Sequence, residues 1–370
     1  MYDTIIVGAG ITGLQLGALL AADGEKVLVC EKSSRVGGRA AVMEKEGFMV
    51  DYGIHVVRYG PQSALAETCR RIGREVKFLP LGPSYVLDYD GKIKVFPTGP
   101  KAFLTSKLFS FGERLKVLAM FSKIRKGNHE VLMQTSVADW MAEHNISGGL
   151  KRYFHLVSGS MLVCPFVEKA SAGEMLTNMK KVLEVGVSVM YPQGGWDPLI
   201  KLFAAKINER GEVRTGAAVQ KIAVDGKKNK TATGVYVGGE VIPAGKVVLS
   251  LPARQLDQLL AGLVDEEYLQ MCRRIRPTSG IVLDYGLSRP VSGASGLNYL
   301  YEPMSFGMFT SNVDPSLAPE GKQLLTWLQP LPQELFQDKA ALKAKEQELE
   351  QALFKFFPGL EQAIQWRRAL

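Results

Sequence analysis

Apolar positions along this chain follow two rhythms. Short continuous runs, Thr4-Ile5-Ile6-Val7 and Lys26-Val27-Leu28-Val29-Cys30, read as strands, with a helix-length stretch between them. Val247-Val248-Leu249-Ser250-Leu251-Pro252, Gly280 to Tyr285 and Gln323 to Trp327 read as further strands. Tyr85 to Tyr89 and Lys92 to Phe96 flank Asp90-Gly91, the signal of a hairpin. Elsewhere the spacing is helical. Leu199, Leu202, Phe203 and Ile207 form one apolar face behind Asp197-Pro198, which suits an N-cap acid followed by proline at the first helical position. Lys339 to Phe357 predicts a charged amphipathic helix ended by Pro358-Gly359.

Residues 101–126 have a pattern of their own. Phe103, Leu104, Leu108, Phe109, Phe111, Leu115, Leu118 and Phe121 are interleaved with Lys101, Lys107, Arg114, Lys116, Lys123, Arg125 and Lys126, opposed only by Glu113. Two arrangements fit: a core-facing helix pair with a solvated basic face, or an amphipathic surface lying in a membrane interface.

Composition narrows the class. At 370 residues with 46% hydrophobic content, the chain is long enough for two domains with cores of their own. The net charge of +8 comes from scattered basic residues with no nucleic-acid motif, so contact with an anionic membrane surface or an acidic partner is a better expectation than nucleic acid. Cys30, Cys69, Cys164 and Cys272 are far apart and predict buried, reduced thiols in a cytoplasmic protein, with peripheral contact at the inner face of the membrane as an extension of that expectation. The four histidines lack metal-ligand spacing and no G-x-S-x-G elbow occurs, which leaves metal and serine hydrolysis unsupported. Thr4 to Ala22 is uncharged over nearly the length of a membrane span, yet no basic segment precedes it and its glycines follow another logic.

That logic is phosphate recognition. In Val7-Gly8-Ala9-Gly10-Ile11-Thr12-Gly13, Gly8 permits a tight turn, Gly10 lets backbone approach a pyrophosphate, and Gly13 lets the helix pack closely on the strand. The helix N-terminus, at Ile11 and Thr12, offers unpaired N–H groups and partial positive charge. Glu31 closes the second strand, where an acid binds ribose hydroxyls. An acid there fits FAD or NAD and disfavours NADP.

Further motifs follow: Gly37-Gly38-Arg39, Asp51-Tyr52-Gly53-Ile54-His55 and, downstream, Tyr191-Pro192-Gln193-Gly194-Gly195-Trp196. With these the chain resembles the FAD-dependent amine oxidase superfamily, which includes phytoene desaturases and protoporphyrinogen oxidases. The resemblance implies an α/β fold with a discontinuous Rossmann-like FAD-binding domain (residues 1–77 and 187–255). It also implies an α+β substrate domain with a mainly helical insert (78–186 and 256–370), the two-domain architecture shared with GDP-dissociation inhibitors. Carried over, Arg39 would reach the pyrophosphate or flavin edge, and Gly53 and Ile54 would pass beside the isoalloxazine. His55 would either face the active site or cap a loop. Glu212 to Val219 resembles the strand whose backbone, near Val219, meets the adenine.

The family pattern ends in a further strand, a Gly-Asp loop and a helix that close the flavin site. Trp366 to Leu370 resembles the segment just before that strand, so the closing element has no counterpart here and weak FAD retention is an expectation. The expected activity is hydride transfer from a substrate C–H to FAD. The substrate, a small molecule, is expected in the order isoprenoid or carotenoid-like hydrocarbon, tetrapyrrole, amine; for the first, an apolar tunnel would open near residues 101–126. Two other classes share parts of the pattern. A non-catalytic prenyl-binding escort protein would lack flavin, and an NAD-dependent dehydrogenase would not need the G-G-R turn.

Overall fold

A computed structural model describes residues 1–54, 56–226 and 230–370. The chain forms two compact units, each assembled from three stretches. Unit 1 comprises Met1–Met43, Ser63–Lys77 and Gly194–Pro277. Unit 2 comprises Glu44–Gln62, Phe78–Gln193 and Thr278–Leu370.

Unit 1 is built on a six-stranded sheet in the order Glu212–Arg214, Val27–Cys30, Tyr2–Val7, Glu240–Leu249, Thr231–Val237, Val219–Asp225. The first four pair in parallel; the last three form an antiparallel meander. The runs Ile5-Ile6-Val7 and Val27-Leu28-Val29-Cys30 are continuously apolar because both faces of the sheet are covered there. Ile5, Ile6, Val27, Leu28 and Val29 have no exposed surface. The helix Ile11–Ala22 buries Leu14, Gly17, Ala18 and Ala21 along one face. A Cβ at Gly17 would come within 2.9 Å of Ile207 on the helix Asp197–Asn208, so the small residue sets how closely those helices approach. That second helix buries Leu199, Phe203 and Ile207 as its spacing predicts. Its N-cap, however, is Trp196; Asp197 is already helical and pairs with Lys201 at 2.7 Å.

The stretch from Glu212 to Val219 is not one strand. Glu212–Arg214 ends one edge of the sheet, and Val219 begins the strand at the opposite edge. Between them Gly216, at φ +64°, turns the chain, and its N–H and that of Ala217 donate to the carbonyls of Ser33 and Glu31.

Unit 2 is organised by a seven-stranded sheet in the order Ile364–Ala369, Ser279–Leu287, Gln323–Leu331, Ser305–Phe309, Asn298–Leu300, Ser84–Leu87, Ile93–Phe96. Among the described residues its ladders are antiparallel except Asn298–Leu300 with Ser84–Leu87. Strand residues alternate between the two faces. Trp327 and Leu300 enter a core with Leu349, Leu353 and Phe356 of the helix Lys339–Phe356. Their neighbours Leu328 and Tyr299 line a cavity. The hairpin around Asp90-Gly91 forms with strands Ser84–Leu87 and Ile93–Phe96, slightly shorter than its sequence suggests; Asp88 still donates its N–H to the Lys92 carbonyl, and its side chain pairs with Lys94. Trp366 to Ala369 lie within an edge strand of this sheet, paired with Ser279–Leu287.

Residues 101–126 form two helices, Pro100–Thr105 and Phe111–Lys126. Phe103, Val117, Met120, Phe121 and Ile124 are buried. Leu104, Phe111 and Leu115 remain 49%, 75% and 52% exposed. One face of the segment therefore joins the core, as the first arrangement expects, and an apolar strip stays on the surface. No helix among the described residues is long and apolar enough to cross a membrane. Cys30, Cys69 and Cys272 are buried and all four thiols are free. Burial pushes the Cys30 and Cys69 thiols up to about 11.

Candidate active site

In unit 1 two glycine turns lie against each other. Gly8, at φ +103°, ends the first strand, and a Cβ there would sit 2.6 Å from the Ser250 carbonyl oxygen. A Cβ at Gly13 would meet the Gly8 carbonyl oxygen at 2.1 Å. The second turn follows the second strand: Gly37 N–H donates to Ala9 O at 2.8 Å, and Gly37 and Gly38 both have positive φ. Gly38 packs on Gly10, leaving 3.1 Å between a would-be Cβ and the Gly10 Cα.

Gly10 behaves differently from its neighbours. Its φ of −67° suits any residue, and a Cβ built there touches nothing within 4 Å. Neither conformation nor packing within the protein requires glycine. The open space lies at the N-cap of the Ile11–Ala22 helix, which no side chain caps. The first N–H groups of a helix have no intrahelical partners, and at Ile11, Thr12 and Gly13 they surround backbone that a phosphate can approach. Arg39, exposed on the next short turn, forms no ion pair among the described residues. These features fit a dinucleotide.

Glu31 is more occupied than a ribose ligand needs to be. Its Oε2 accepts from Ala9 N–H at 2.9 Å; its Oε1 accepts from the Ser33 N–H and hydroxyl at 2.9 and 3.0 Å. A carboxylate has about four acceptor sites, so the acid ties the glycine turn to the second strand and keeps one site over. Val219 is half-buried at the start of its strand, where it packs against the sheet core of Ile5, Val7 and Leu28.

Unit 2 holds the remaining site candidates. Gly53 is buried at φ +126°. Ile54 lines the cavity; His55 lies outside the described residues. The cavity measures 270 Å³. Its walls are mainly aromatic and aliphatic: Phe96, Phe103, Phe121, Tyr153, Tyr299, Phe306, Met179, Val182 and Leu183 among them. Rings pack around it edge to face, with Phe103 against Tyr153 at 5.0 Å and against Phe121 at 4.8 Å. Burial raises the Tyr153 and Tyr299 phenols well above their ordinary range, so both stay neutral. Ile54, Val56 and Arg58 alternate along one segment and all three line the cavity. Sequence reading missed Arg58, although that alternation is its signal.

A buried network supports this segment. Tyr191 donates to Asp51 Oδ2 at 2.6 Å, joining the first residues of two sequence motifs that are 140 positions apart. Burial, then the Asp51 charge, push the Tyr191 phenol well above its usual value. Arg368 donates to the Asp51 carbonyl at 2.7 Å and pairs with the fully buried Asp284, which also accepts from Thr326. Burial raises the Asp284 carboxyl despite the lowering pull of Arg368. Tyr191 thus anchors the motif it opens.

The sequence profile of the flavin containing amine oxidoreductase family matches residues 11–363. The chain belongs to that family. It is an FAD-dependent oxidoreductase. This removes the escort-protein and NAD-dehydrogenase alternatives. Among its relatives is the zeta-carotene-forming phytoene desaturase of Myxococcus xanthus, 25% identical over 89% of this chain and 72% of that protein. The phytoene dehydrogenase of Streptomyces griseus is 27% identical over the same shares. The fold matches that of an oxidoreductase from Methanosarcina mazei with a TM-score of 0.85, at 22% identity, over 99% of this chain and 87% of that one.

Proposed function

We propose that this flavoprotein desaturates or oxidises an apolar, isoprenoid-like substrate whose chain lies in the unit 2 cavity. The observation that carries this reading is the cavity itself: an aromatic-walled space with Ile54 and Val56, from the segment expected to run beside the isoalloxazine, in its wall. Bound FAD supplies a two-electron hydride acceptor. The protein's own contribution is binding and orientation. Gly8, Gly10 and Gly13, with the N–H groups at Ile11 and Thr12, hold the pyrophosphate. Glu31 meets the adenosine ribose, Arg39 the phosphates, and the backbone near Val219 the adenine. Gly37 and Gly38 keep the turn close enough for that contact. The aromatic walls exclude water and fix the reacting carbon. No residue is needed as a nucleophile. The names of the carotenoid-desaturating relatives support the substrate class.

An apolar substrate of this kind dissolves in bilayers, and the surface of residues 101–126 suits contact with one. Leu104, Phe111 and Leu115 are exposed beside Lys107, Lys123, Arg125 and Lys126. Glu113, the segment's sole acid, is used in the capping box with Ser110. Lys116 is already bound to the Asn145 carbonyl and is left out of this role.

Two measurements test the reading. Under anaerobic conditions an acyclic isoprenoid polyene in mixed micelles should bleach the flavin, whereas putrescine should not; the reverse result returns amines to first place. In sedimentation with anionic vesicles, each basic residue near the surface contributes about 1 kcal/mol. Binding should therefore fall with salt and on changing Lys107, Lys123, Arg125 and Lys126 to glutamine. Protein that stays in the supernatant at low salt rules out the membrane contact without touching the substrate assignment.

A further inference from the structure

The cavity is mainly apolar, with a few hydroxyls from Thr98, Ser160 and Ser188 in its wall, and it carries charge at one place. Arg58 is the sole charged side chain among its described lining residues, and it also lines an outer cleft with Met161, Lys169 and Glu174. The guanidinium therefore stands where the cavity meets the surface. Its partner is neutral: Nη1 donates to the Asn178 side-chain oxygen at 2.6 Å, which also accepts from the Tyr59 hydroxyl at 3.0 Å. Glu174, which lines the same outer cleft, is engaged by Asn178 instead: the Asn178 amide nitrogen donates to its carboxylate at 3.0 Å. No carboxylate among the described residues pairs with Arg58. Lys181 adds to the positive field, its ammonium lying 4.5 Å from the Tyr59 ring centre.

A guanidinium has five donors in a rigid fork, and Asn178 occupies only part of it. Leaving a half-buried cation without a counter-charge at the rim of an aromatic cavity is costly unless a ligand supplies the charge. The backbone here is also held in an uncommon shape. Tyr59 has φ +62° and Val163, another lining residue, has φ +51°. Positive φ in a β-branched residue is an outlier, and such conformations cluster where a ligand is clamped.

We propose that Arg58 anchors a carboxylate at the end of the apolar ligand, so that the site takes an amphiphilic acid and not a plain hydrocarbon. The inference rests on the cavity being the substrate site. Size sets the length of the buried part. An engineered apolar cavity of about 150 Å³ takes up benzene, so the present volume accommodates roughly ten carbon atoms. A longer chain keeps its remainder outside, with the charged end at the Arg58 mouth.

The experiment uses the flavin-loaded protein and four ten-carbon probes: geranate, geraniol, the hydrocarbon myrcene and straight-chain decanoate. Dissociation constants come from equilibrium dialysis, and no turnover is needed. Geranate should bind roughly ten- to a hundredfold more tightly than myrcene, the range of a charged hydrogen bond. In Arg58→Met that preference should vanish while myrcene affinity is retained, which shows the cavity is intact. Arg58→Lys should keep part of it, because an ammonium preserves the charge but not the fork. A preference for decanoate over geranate would uphold the Arg58 anchor and count against the isoprenoid reading. Myrcene binding as tightly as geranate, or a preference that survives Arg58→Met, overturns the anchor alone. Failure of all four probes to bind overturns both the anchor and the cavity's assignment as substrate site.

Discussion

At the two proposed sites, unit 1 offers backbone to a ligand and unit 2 offers side chains. Around Gly8, Gly10 and Gly13 the useful groups are N–H donors at a helix end and the absence of Cβ atoms. Around the cavity they are phenyl and phenol rings, aliphatic side chains and one guanidinium. Backbone recognition suits a ligand portion that never changes, because main-chain geometry leaves little to vary. Side-chain recognition suits a portion that differs between family members, since each wall residue can be exchanged without unmaking the sheet behind it. The same contrast governs tolerance: one added methyl group is decisive in unit 1, whereas a cavity wall can absorb it.

The largest effect expected is at Gly13. With a Cβ 2.1 Å from the Gly8 carbonyl oxygen, Gly13→Ala should cost about 3 kcal/mol or more and yield protein that melts early and is colourless. Gly10→Ala is the sharper test. Its methyl group meets no protein atom, so the melting temperature of the flavin-free form should be unchanged while the flavin-to-protein absorbance ratio collapses. A fully yellow Gly10→Ala variant would show that the open space is not where the pyrophosphate approaches.

A smaller effect is expected from filling unit 2. Val157→Phe adds bulk to the cavity wall, and overpacking of about 1–3 kcal/mol corresponds to roughly a ten- to hundredfold loss of substrate affinity. Flavin content should stay at the wild-type level. If flavin is lost as readily as substrate binding, the division between backbone-built and side-chain-built sites fails.

Smaller again is the removal of the Tyr191 hydroxyl. Tyr191→Phe leaves the buried Asp51 carboxylate one donor short, which costs about 1–3 kcal/mol. Chemical denaturation should read this as a lower midpoint. Unchanged stability would mean that the Asp51 oxygen finds another donor and that the motif tyrosine is not its anchor.

The least effect is one of alkaline pH. Tyr153, Tyr191, Tyr285 and Tyr299 all have phenols raised by burial. The unfolded chain ionises its tyrosines near about 10, while the folded chain holds those protons longer. The folded state then binds more protons, so stability is complete below that pH and is lost as pH rises through it. Each Tyr→Phe exchange in unit 2 should flatten the decline, seen as a shallower fall of melting temperature above a pH of about 10. A decline that is unaffected by all four exchanges would place its origin in other groups, Cys30 and Cys69 first.

The sequence alone determined the strand, turn, helix and acid of residues 4–31 and the second glycine turn at 37–38, the elements of the proposed nucleotide cradle. Those features obey rules that act within a few turns of chain: φ limits, helix ends and the periodicity of apolar residues. The helix Lys339–Phe356 and the strands around Leu283 and Leu325 were legible for the same reason. The cavity was not. Its wall draws on residues between Ile54 and Leu328, and no local pattern distinguishes a phenylalanine that lines a space from one that fills it. Only folding decided that Tyr191 would meet Asp51, that Arg368 would reach across 317 positions to the Asp51 carbonyl, and that Glu31 would brace the turn it was expected to serve. Such contacts depend on which faces of distant elements pack together. That is settled by long-range burial, which short-range spacing does not encode.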